Sequence, residues 1–311
     1  MRAVRTIKHG KCILFALAVL VVLAPGKDDR GPKQLKKRRA VDVKGFATDP
    51  QGFSGSNWLI RRFQDENSFW HAQLEANGAV VKEFAPAVQY EDWLRFLLWP
   101  ANPGGRGSVI LFVLRYGGGA HGPEYLDIVD VRNGFKTLFE ADASFNFRRV
   151  EDLDQNGWPE VVGMTRRFAG ILDLSEADSP APTVILSYDP DSRRYLCQNH
   201  RFQEEMEKGA AWFKEAFDLH KPIQGKVPYD PADPRVIQDQ FAPLIRWAVE
   251  ISYTGDPENA WKLLDQYLEP EAAQHVRETL QLTLASDRYY QEMMTLIAQQ
   301  KSSATPQRHG D

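Results

Sequence analysis

The chain has 311 residues, of which 43% are hydrophobic and 11% aromatic. This composition is sufficient for one or two hydrophobic cores, which excludes a chain that is disordered throughout. The formal net charge of −4 gives the folded body no general basic field, so nucleic acid is not an expected partner.

Residues 1–26 have the pattern of a targeting segment. Basic residues precede an uninterrupted run of twelve apolar residues at 13–24, which is short for a membrane span but typical of a signal-peptide core. Ala24 and Gly26 fit a cleavage site before Lys27. We therefore expect export, with the mature protein in the periplasm or secreted.

Residues 27–44 are rich in lysine and arginine, and we expect a disordered linker there. Basic charge directly after an apolar segment hinders translocation. Two alternatives to cleavage and export therefore stay open: an uncleaved signal anchor, and an inner-membrane protein whose body stays in the cytosol. In either case residues 1–44 could contact the membrane, through the apolar segment or through anionic lipid headgroups.

Residues 45–198 are predicted to form an antiparallel β domain, because short apolar runs alternate with turn signals. The sequence predicts three hairpins, at residues 69–84, 125–139 and 183–196, and the turn Asn77-Gly78 favours type I′ geometry in the first. Residues 109–114 are apolar without interruption, which predicts a central strand covered on both faces. A sandwich and a partial propeller-like arrangement of sheets are both compatible with this pattern.

Residues 117–122 read Gly-Gly-Gly-Ala-His-Gly and form the one loop that suggests catalysis. Glycines allow a ligand to approach the backbone, and His121 could act as a base or metal ligand. No helix follows to direct N–H groups at a phosphate. We expect an inter-strand loop without catalytic residues, and the alternative is an extracytoplasmic hydrolase that uses His121.

The most informative motif is Asp-Leu-Asp-Gln-Asn-Gly at residues 152–157, followed by Glu160. Calcium takes six to eight oxygen ligands, and a loop supplies them from side chains at positions 1, 3 and 5 and a carbonyl at position 7. Gly157 permits the sharp turn that this geometry needs. The motif predicts a structural Ca²⁺ site whose ligands are Asp152, Asp154, Asn156, the carbonyl of Trp158, and Glu160.

The loop lacks the bidentate glutamate of an EF-hand, because Gly163 stands at position 12 and a strand is predicted at residues 160–164. Residues 147–164 instead resemble one FG-GAP or VCBS repeat of integrin-like β-propellers, in which D-x-D-x-N-G-x-x-E joins two strands. The resemblance implies Asp152, Asp154, Asn156 and Glu160 as ligands. The alternative is a metal-free Asx-turn loop.

Residues 199–300 are predicted to form a small α-helical domain, followed by a disordered tail at 301–311. Acidic residues before prolines, as in Asp256-Pro257 and Glu269-Pro270, are typical of helix starts. The stretch from Tyr253 to Pro270 resembles the turn of one tetratricopeptide-type helical hairpin. Of the two cysteines, Cys12 lies in the targeting segment, so a mature chain keeps Cys197 alone and forms no internal disulfide.

The sequence thus predicts the α+β class: an antiparallel β domain followed by a helical domain. The favoured function is an exported or membrane-tethered binding or assembly protein without catalytic activity, with a structural calcium loop. Its partner is an unknown protein or another component of the cell envelope.

Overall fold

The computed structural model describes residues 41–42, 58–90, 93–100, 109–118, 122–131, 134–222, 225–229 and 236–303. The predictions for the targeting segment, for His121 and for residues 304–311 of the tail lie outside these residues. Within them, no helix is both long enough and apolar enough to cross a membrane.

The strands of the described chain form three antiparallel sheets. Their bounds are β1 Val41–Asp42, β2 Trp58–Gln64, β3 Trp70–Ala76, β4 Ala79–Val88, β5 Leu94–Pro100, β6 Val109–Tyr116, β7 Glu124–Asp130, β8 Lys136–Glu140, β9 Phe145–Glu151, β10 Glu160–Thr165, β11 Thr183–Asp189 and β12 Arg194–Cys197. The strand orders are β2-β3-β4, β1-β5-β6-β7-β8 and β12-β11-β10-β9. Strand β1 lies in the segment predicted as a linker.

Helices follow the last strand. Their bounds are α1 Gln203–His220, α2 Ala242–Ser252, α3 Pro257–Tyr267, α4 Pro270–Ser286 and α5 Arg288–Ser303, and a π-helical turn, Ile237–Phe241, precedes α2. The predicted α+β class, with antiparallel sheets followed by helices, is confirmed.

The three predicted hairpins are present as β3–β4, β7–β8 and β11–β12. In the first, Asn77 and Gly78 have φ values of 51° and 78°. Positive φ at both central residues is the signature of a type I′ turn, whose twist matches that of the flanking strands. Local turn chemistry therefore sets the pairing next to the turn, where Ala76 lies opposite Ala79, and the register shifts further along the two strands.

Strand β6 is the central strand that its apolar run predicts. Ile110, Phe112 and Leu114 belong to one hydrophobic cluster, whereas Leu111 and Val113 belong to another. Alternate side chains of a strand point to opposite faces, so the five-stranded sheet is covered on both sides. The three-stranded sheet packs on one face, and the four-stranded sheet and the helices share the cluster on the other.

The helices are joined to the four-stranded sheet by buried polar contacts. Asn199 donates from Nδ2 to the carbonyls of Thr183 at 2.7 Å and Tyr253 at 3.0 Å. Asp287, which precedes α5, accepts the N–H of Tyr290 at 2.9 Å and the hydroxyl of Thr165 at 2.9 Å. The hydrophobic core therefore crosses the predicted boundary at residue 198.

Helix starts follow the acid-proline pattern in part. Asp256 caps α3 by accepting the N–H of Asn259, and Pro257 occupies the first turn. Glu269 precedes α4 without a side-chain capping bond, although Pro270 again occupies the first turn.

In α1, Gly209 allows close packing, because a Cβ at this position would lie 2.6 Å from Oε1 of the buried Glu250.

Candidate functional site

The acidic loop joins β9 to β10, two strands that pair antiparallel with Glu160 opposite Glu151. A strand thus follows the loop, as the sequence predicts, where an EF-hand would have a helix. Because β10 also pairs with β11, the loop lies next to the end of a third strand. Its geometry is therefore coupled to the interior of the four-stranded sheet.

Backbone conformation and Asx-type hydrogen bonds fold the loop tightly. Gln155 and Gly157 adopt positive φ values of 60° and 89°. The N–H of Gly157 donates to Asp152 Oδ2 at 3.1 Å, and the N–H of Asn156 donates to Asp154 Oδ1 at 3.2 Å. Short polar side chains commonly stabilise turns in this way, and here they draw the loop's carboxylates toward its centre.

Three carboxylates converge. One oxygen from each of Asp152, Asp154 and Glu160 lies within 4.8 Å of the other two. Calcium–oxygen distances are 2.3–2.6 Å, so two oxygens bound to one ion are separated by at most about 5 Å. The three side chains therefore fit a common centre, and oxygen-only ligands suit a hard cation such as Ca²⁺.

The cluster runs from exposed to buried: Asp154 is exposed, Asp152 is half-buried and Glu160 lies in the interior. Glu160 is fully buried, and burial raises the pKa of its carboxyl group to about 7, with a further contribution from the charges of Asp154 and Asp152. Hydrogen bonds oppose this effect, since the Leu153 N–H donates to Oε2 at 2.7 Å and the Ser187 hydroxyl to Oε1 at 3.0 Å. Burial also raises the pKa of Asp152.

One carboxylate oxygen of the cluster lacks a hydrogen-bond donor. Asp152 Oδ1 is inaccessible to solvent and has no hydrogen-bond partner within the described residues. A buried acceptor without a donor carries a desolvation penalty of about 1–3 kcal/mol. A cation at the centre of the cluster would remove this penalty and oppose the effect of burial, which is the main cause of both raised pKa values.

The other two predicted ligands are placed differently. Asn156 Oδ1 accepts the N–H of Trp158 at 2.7 Å, and its Nδ2 donates to Asp154 Oδ2 at 2.9 Å. The Trp158 ring stacks on Tyr188 at a centroid distance of 3.8 Å, which holds this end of the loop against β11. Asn156 would have to turn away from Trp158 to bind a metal, and its bonds are also those of a metal-free Asx turn.

Arg201 is a neighbour of the loop that the motif did not indicate. Its Nη2 lies 3.0 Å from Asp154 Oδ2, so a guanidinium group already compensates part of the cluster's charge. Arg201 is also held by the side chain of Gln198 at 2.7 Å. A cation bound by Asp154 would share this carboxylate with Arg201 or displace it.

Of the glycine-rich segment, Gly117 and Gly118 follow β6, and Gly122 precedes β7. These glycines are required by packing: a Cβ at Gly118 would lie 2.5 Å from the Trp93 ring, and one at Gly122 would lie 1.7 Å from the carbonyl oxygen of Gly118. Gly122 borders a cavity of about 630 Å³ that Trp93 and Glu124 also line. His121 lies outside the described residues, so the structure does not place its side chain.

Cys197 is the buried thiol that its strand context predicts. Burial raises its pKa well above the usual range, which keeps the sulfur protonated and unreactive. Its Sγ contacts Asn199 Oδ1 at 3.4 Å. The residue contributes to the core and offers no nucleophile.

Comparison with known proteins finds no matching family model, curated protein or solved structure. The resemblance of residues 147–164 to FG-GAP and VCBS repeats, and that of the helical hairpin to tetratricopeptide repeats, stay predictions.

Proposed function

We propose that this chain is a binding or assembly protein without catalytic activity, whose acidic loop holds a structural Ca²⁺. The observation that carries the proposal is the convergence of Asp152, Asp154 and Glu160, whose oxygens lie within 4.8 Å of one another. The raised pKa values of Asp152 and Glu160 support the metal site. They show that burial disfavours the ionised carboxylates, and a bound cation would stabilise that ionised form.

The ion would stabilise the local structure and take no part in a reaction. Asp152 and Asp154 belong to the loop, whereas Glu160 begins β10 and accepts a hydrogen bond from Ser187 on β11. Bound Ca²⁺ would supply positive charge that these carboxylates share, with the Trp158 carbonyl and a reoriented Asn156 completing the ligand set. The hairpin end would thereby be fixed to the neighbouring strand, giving a rigid surface for a partner.

The proposed location is outside the cytoplasm, either free or tethered to the membrane, and the partner is a protein or another envelope component. Residues 1–26 support export through their basic start and apolar run. N-terminal sequencing of the protein from its native source tests this: a chain that begins near Lys27 supports cleavage and export. A chain that retains residues 1–26 contradicts cleavage.

Calorimetric titration of Ca²⁺ into chelator-treated protein tests the metal site. We expect one ion per chain, with binding lost in Asp154→Ala and retained in Asp191→Ala, an exposed acid in the β11–β12 turn. Mg²⁺ should bind more weakly, because it requires near-ideal octahedral geometry. Absence of heat and of any calcium-dependent change in melting temperature would refute the metal site.

A second candidate is a hydrolase that uses His121. It is favoured by the cavity of about 630 Å³ that borders Gly122 and is lined by the carboxylate of Glu124. Turnover of a panel of chromogenic esters and phosphate monoesters by the wild type, lost in His121→Ala, would support it. Equal background rates in the two proteins would exclude this role for His121 on those substrate classes.

A further inference from the structure

The cavity beside the glycine-rich loop is a separate feature from the acidic loop. Its volume of about 630 Å³ falls within the range of about 300–1,000 Å³ that small-molecule sites occupy. It is formed where residues from β5, β6, β7, β9 and β10 meet residues 176–181. Its lining contains both charged and aromatic groups, which suggests a specific class of ligand.

Positive charge exceeds negative charge in the described lining. Arg95, Arg148 and Arg166 contribute three guanidinium groups, against the carboxylates of Glu124 and Glu176. A fourth arginine, Arg115, is buried, and its Nη1 lies 2.5 Å from Oδ2 of Asp127, so its charge is compensated within the fold. Guanidinium groups favour carboxylate and phosphate oxygens because their planar donors match those anions in a bidentate geometry.

Glu124 lies among the arginines of the cavity lining. Its Oε2 accepts the N–H of Phe147 at 2.5 Å, and the Asn146 amide nitrogen lies 2.7 Å from the same oxygen once the amide is oriented to donate. Burial raises the pKa of Glu124, and the Phe147 N–H and the charges of Arg148, Arg166 and Arg95 lower it. A carboxylate fixed by these two donors therefore places negative charge near the three guanidinium groups.

The aromatic wall is closely packed. The Trp93 ring meets Tyr90 and Tyr116 edge-on at centroid distances of 4.5 Å and 5.3 Å, and Gly118 packs against the ring so closely that a Cβ would overlap it. Rings that are held before binding lose little conformational entropy when a ligand stacks on them. Trp93 and Tyr116 thus offer a pre-formed apolar surface beside the arginines.

Arg166 connects the parts of the cavity. Its Nη1 donates to the Gly122 carbonyl at 3.3 Å, and its guanidinium group forms an ion pair with Glu176. It therefore links the end of β10 to the base of the glycine-rich loop and to residues 176–181. The charged side of the cavity is built by contacts between distant segments of the chain.

We propose that this cavity binds a small organic anion, in which a carboxylate or phosphate group meets the arginines and an aromatic or other apolar body packs on Trp93 and Tyr116. The inference rests on the proposed binding function and supplies its ligand class, but it uses no residue of the acidic loop. Failure of the calcium site and failure of the cavity site are therefore separable.

The test is calorimetric titration of the full chain with naphthoate, with the neutral naphthylmethanol and with inorganic phosphate. We expect naphthoate to bind at least about tenfold more tightly than the alcohol, because a charged hydrogen bond contributes about 1.5–3 kcal/mol. Phosphate alone should bind more weakly than naphthoate, since it lacks the aromatic body. Equal affinity for naphthoate and the alcohol, or for naphthoate and phosphate, would overturn the proposal.

Substitutions inside and outside the cavity test where naphthoate binds. Arg148→Gln should weaken naphthoate binding at least about fivefold without changing the melting temperature. Arg148 is exposed, its hydrogen bond to the sulfur of Met164 is a weak contact at 3.7 Å, and its attraction to Glu124 is longer-range. Arg194→Gln, an exposed arginine on β12 outside the cavity, is the matched control and should bind normally. Asp154→Ala should lose calcium binding and keep naphthoate binding. Unchanged affinity in Arg148→Gln would overturn the assignment of the anion to this cavity.

Discussion

Replacement of Glu160 by glutamine should make the metal-free protein more stable at neutral and alkaline pH. Burial raises the pKa of Glu160 from an ordinary value of 4.5 to about 7. Because the folded-state pKa lies above the unfolded value of about 4.3, the folded state holds the proton more tightly. The stability due to this proton is fully present below about pH 4 and is lost as the pH rises through 7.

The size of the effect follows from the pKa difference. At about 1.4 kcal/mol per pH unit, ionised Glu160 costs the metal-free fold about 3–4 kcal/mol once the pH is well above 7. Glutamine keeps an oxygen for the Leu153 N–H and an amide group near Ser187, which contact the carboxylate at 2.7 Å and 3.0 Å. Glu160→Gln therefore removes the ionisation and keeps the Leu153 hydrogen bond, while the contact to Ser187 reverses direction, with the amide N–H donating to the Ser187 oxygen.

The assay is urea unfolding, followed by tryptophan fluorescence, of wild type and Glu160→Gln in chelator between pH 4 and pH 8. As the pH rises from 4 to 8, the unfolding free energy of Glu160→Gln should increase relative to that of the wild type by up to about 3 kcal/mol. Asp191→Asn, at an exposed position, should show no such trend. A Glu160→Gln penalty that is constant with pH would refute the reasoning.

Calcium should narrow the stability difference between wild type and Glu160→Gln at neutral pH. An ion that binds only the folded state stabilises by about 2.7 kcal/mol at one hundred times its dissociation constant. Wild type should gain this stability, whereas Glu160→Gln should gain less because a charged ligand is lost. An equal gain in both proteins would place any bound calcium elsewhere.

Three further predictions concern the neighbourhood of the site and the core. Arg201→Gln removes a cation 3.0 Å from Asp154 Oδ2 and should tighten calcium binding by about threefold to tenfold in calorimetry; weaker binding would contradict competition between Arg201 and the ion. Gly209→Ala should destabilise by about 1–3 kcal/mol in urea unfolding, because its Cβ would lie 2.6 Å from Glu250; the gain usual for alanine in a helix would contradict this close packing. Phe112→Ala should cost about 3–5 kcal/mol in the same assay, since its side chain is fully buried, and a loss below about 1 kcal/mol would contradict its central position.

Local features of the fold were predictable because neighbouring residues determine them. Asn77-Gly78 specifies a type I′ turn through the two positive φ values that its residues tolerate, and the apolar run at 109–114 specifies a strand buried on both faces. Within the acidic loop, Asp152, Asp154 and Glu160 are separated by at most eight positions, so their spacing was sufficient to predict their convergence.

Contacts between distant segments were not predictable in the same way. Arg201 is 47 positions from Asp154, and Ser187 is 27 positions from Glu160. Arg201 and Ser187 reach the acidic loop only because the residues just before α1, and strand β11, pack against it. The charged cavity likewise combines Arg95, Arg148 and Arg166 from three parts of the chain. The alternation of polar and apolar residues predicts which face of a strand is exposed to solvent. It does not predict which exposed faces of different strands come together to line a cavity.

Terbium luminescence tests the metal site most directly, because Trp158 belongs to the acidic loop itself. Excitation of tryptophan should sensitise emission from one bound Tb³⁺, a hard cation that prefers oxygen ligands as Ca²⁺ does. The account predicts that Ca²⁺ displaces this emission, that Asp152→Asn abolishes it, and that Trp158→Phe strongly reduces it without abolishing calcium binding. Emission that Asp152→Asn leaves intact, or no sensitised emission from the wild type, would contradict a metal centre formed by Asp152, Asp154 and Glu160.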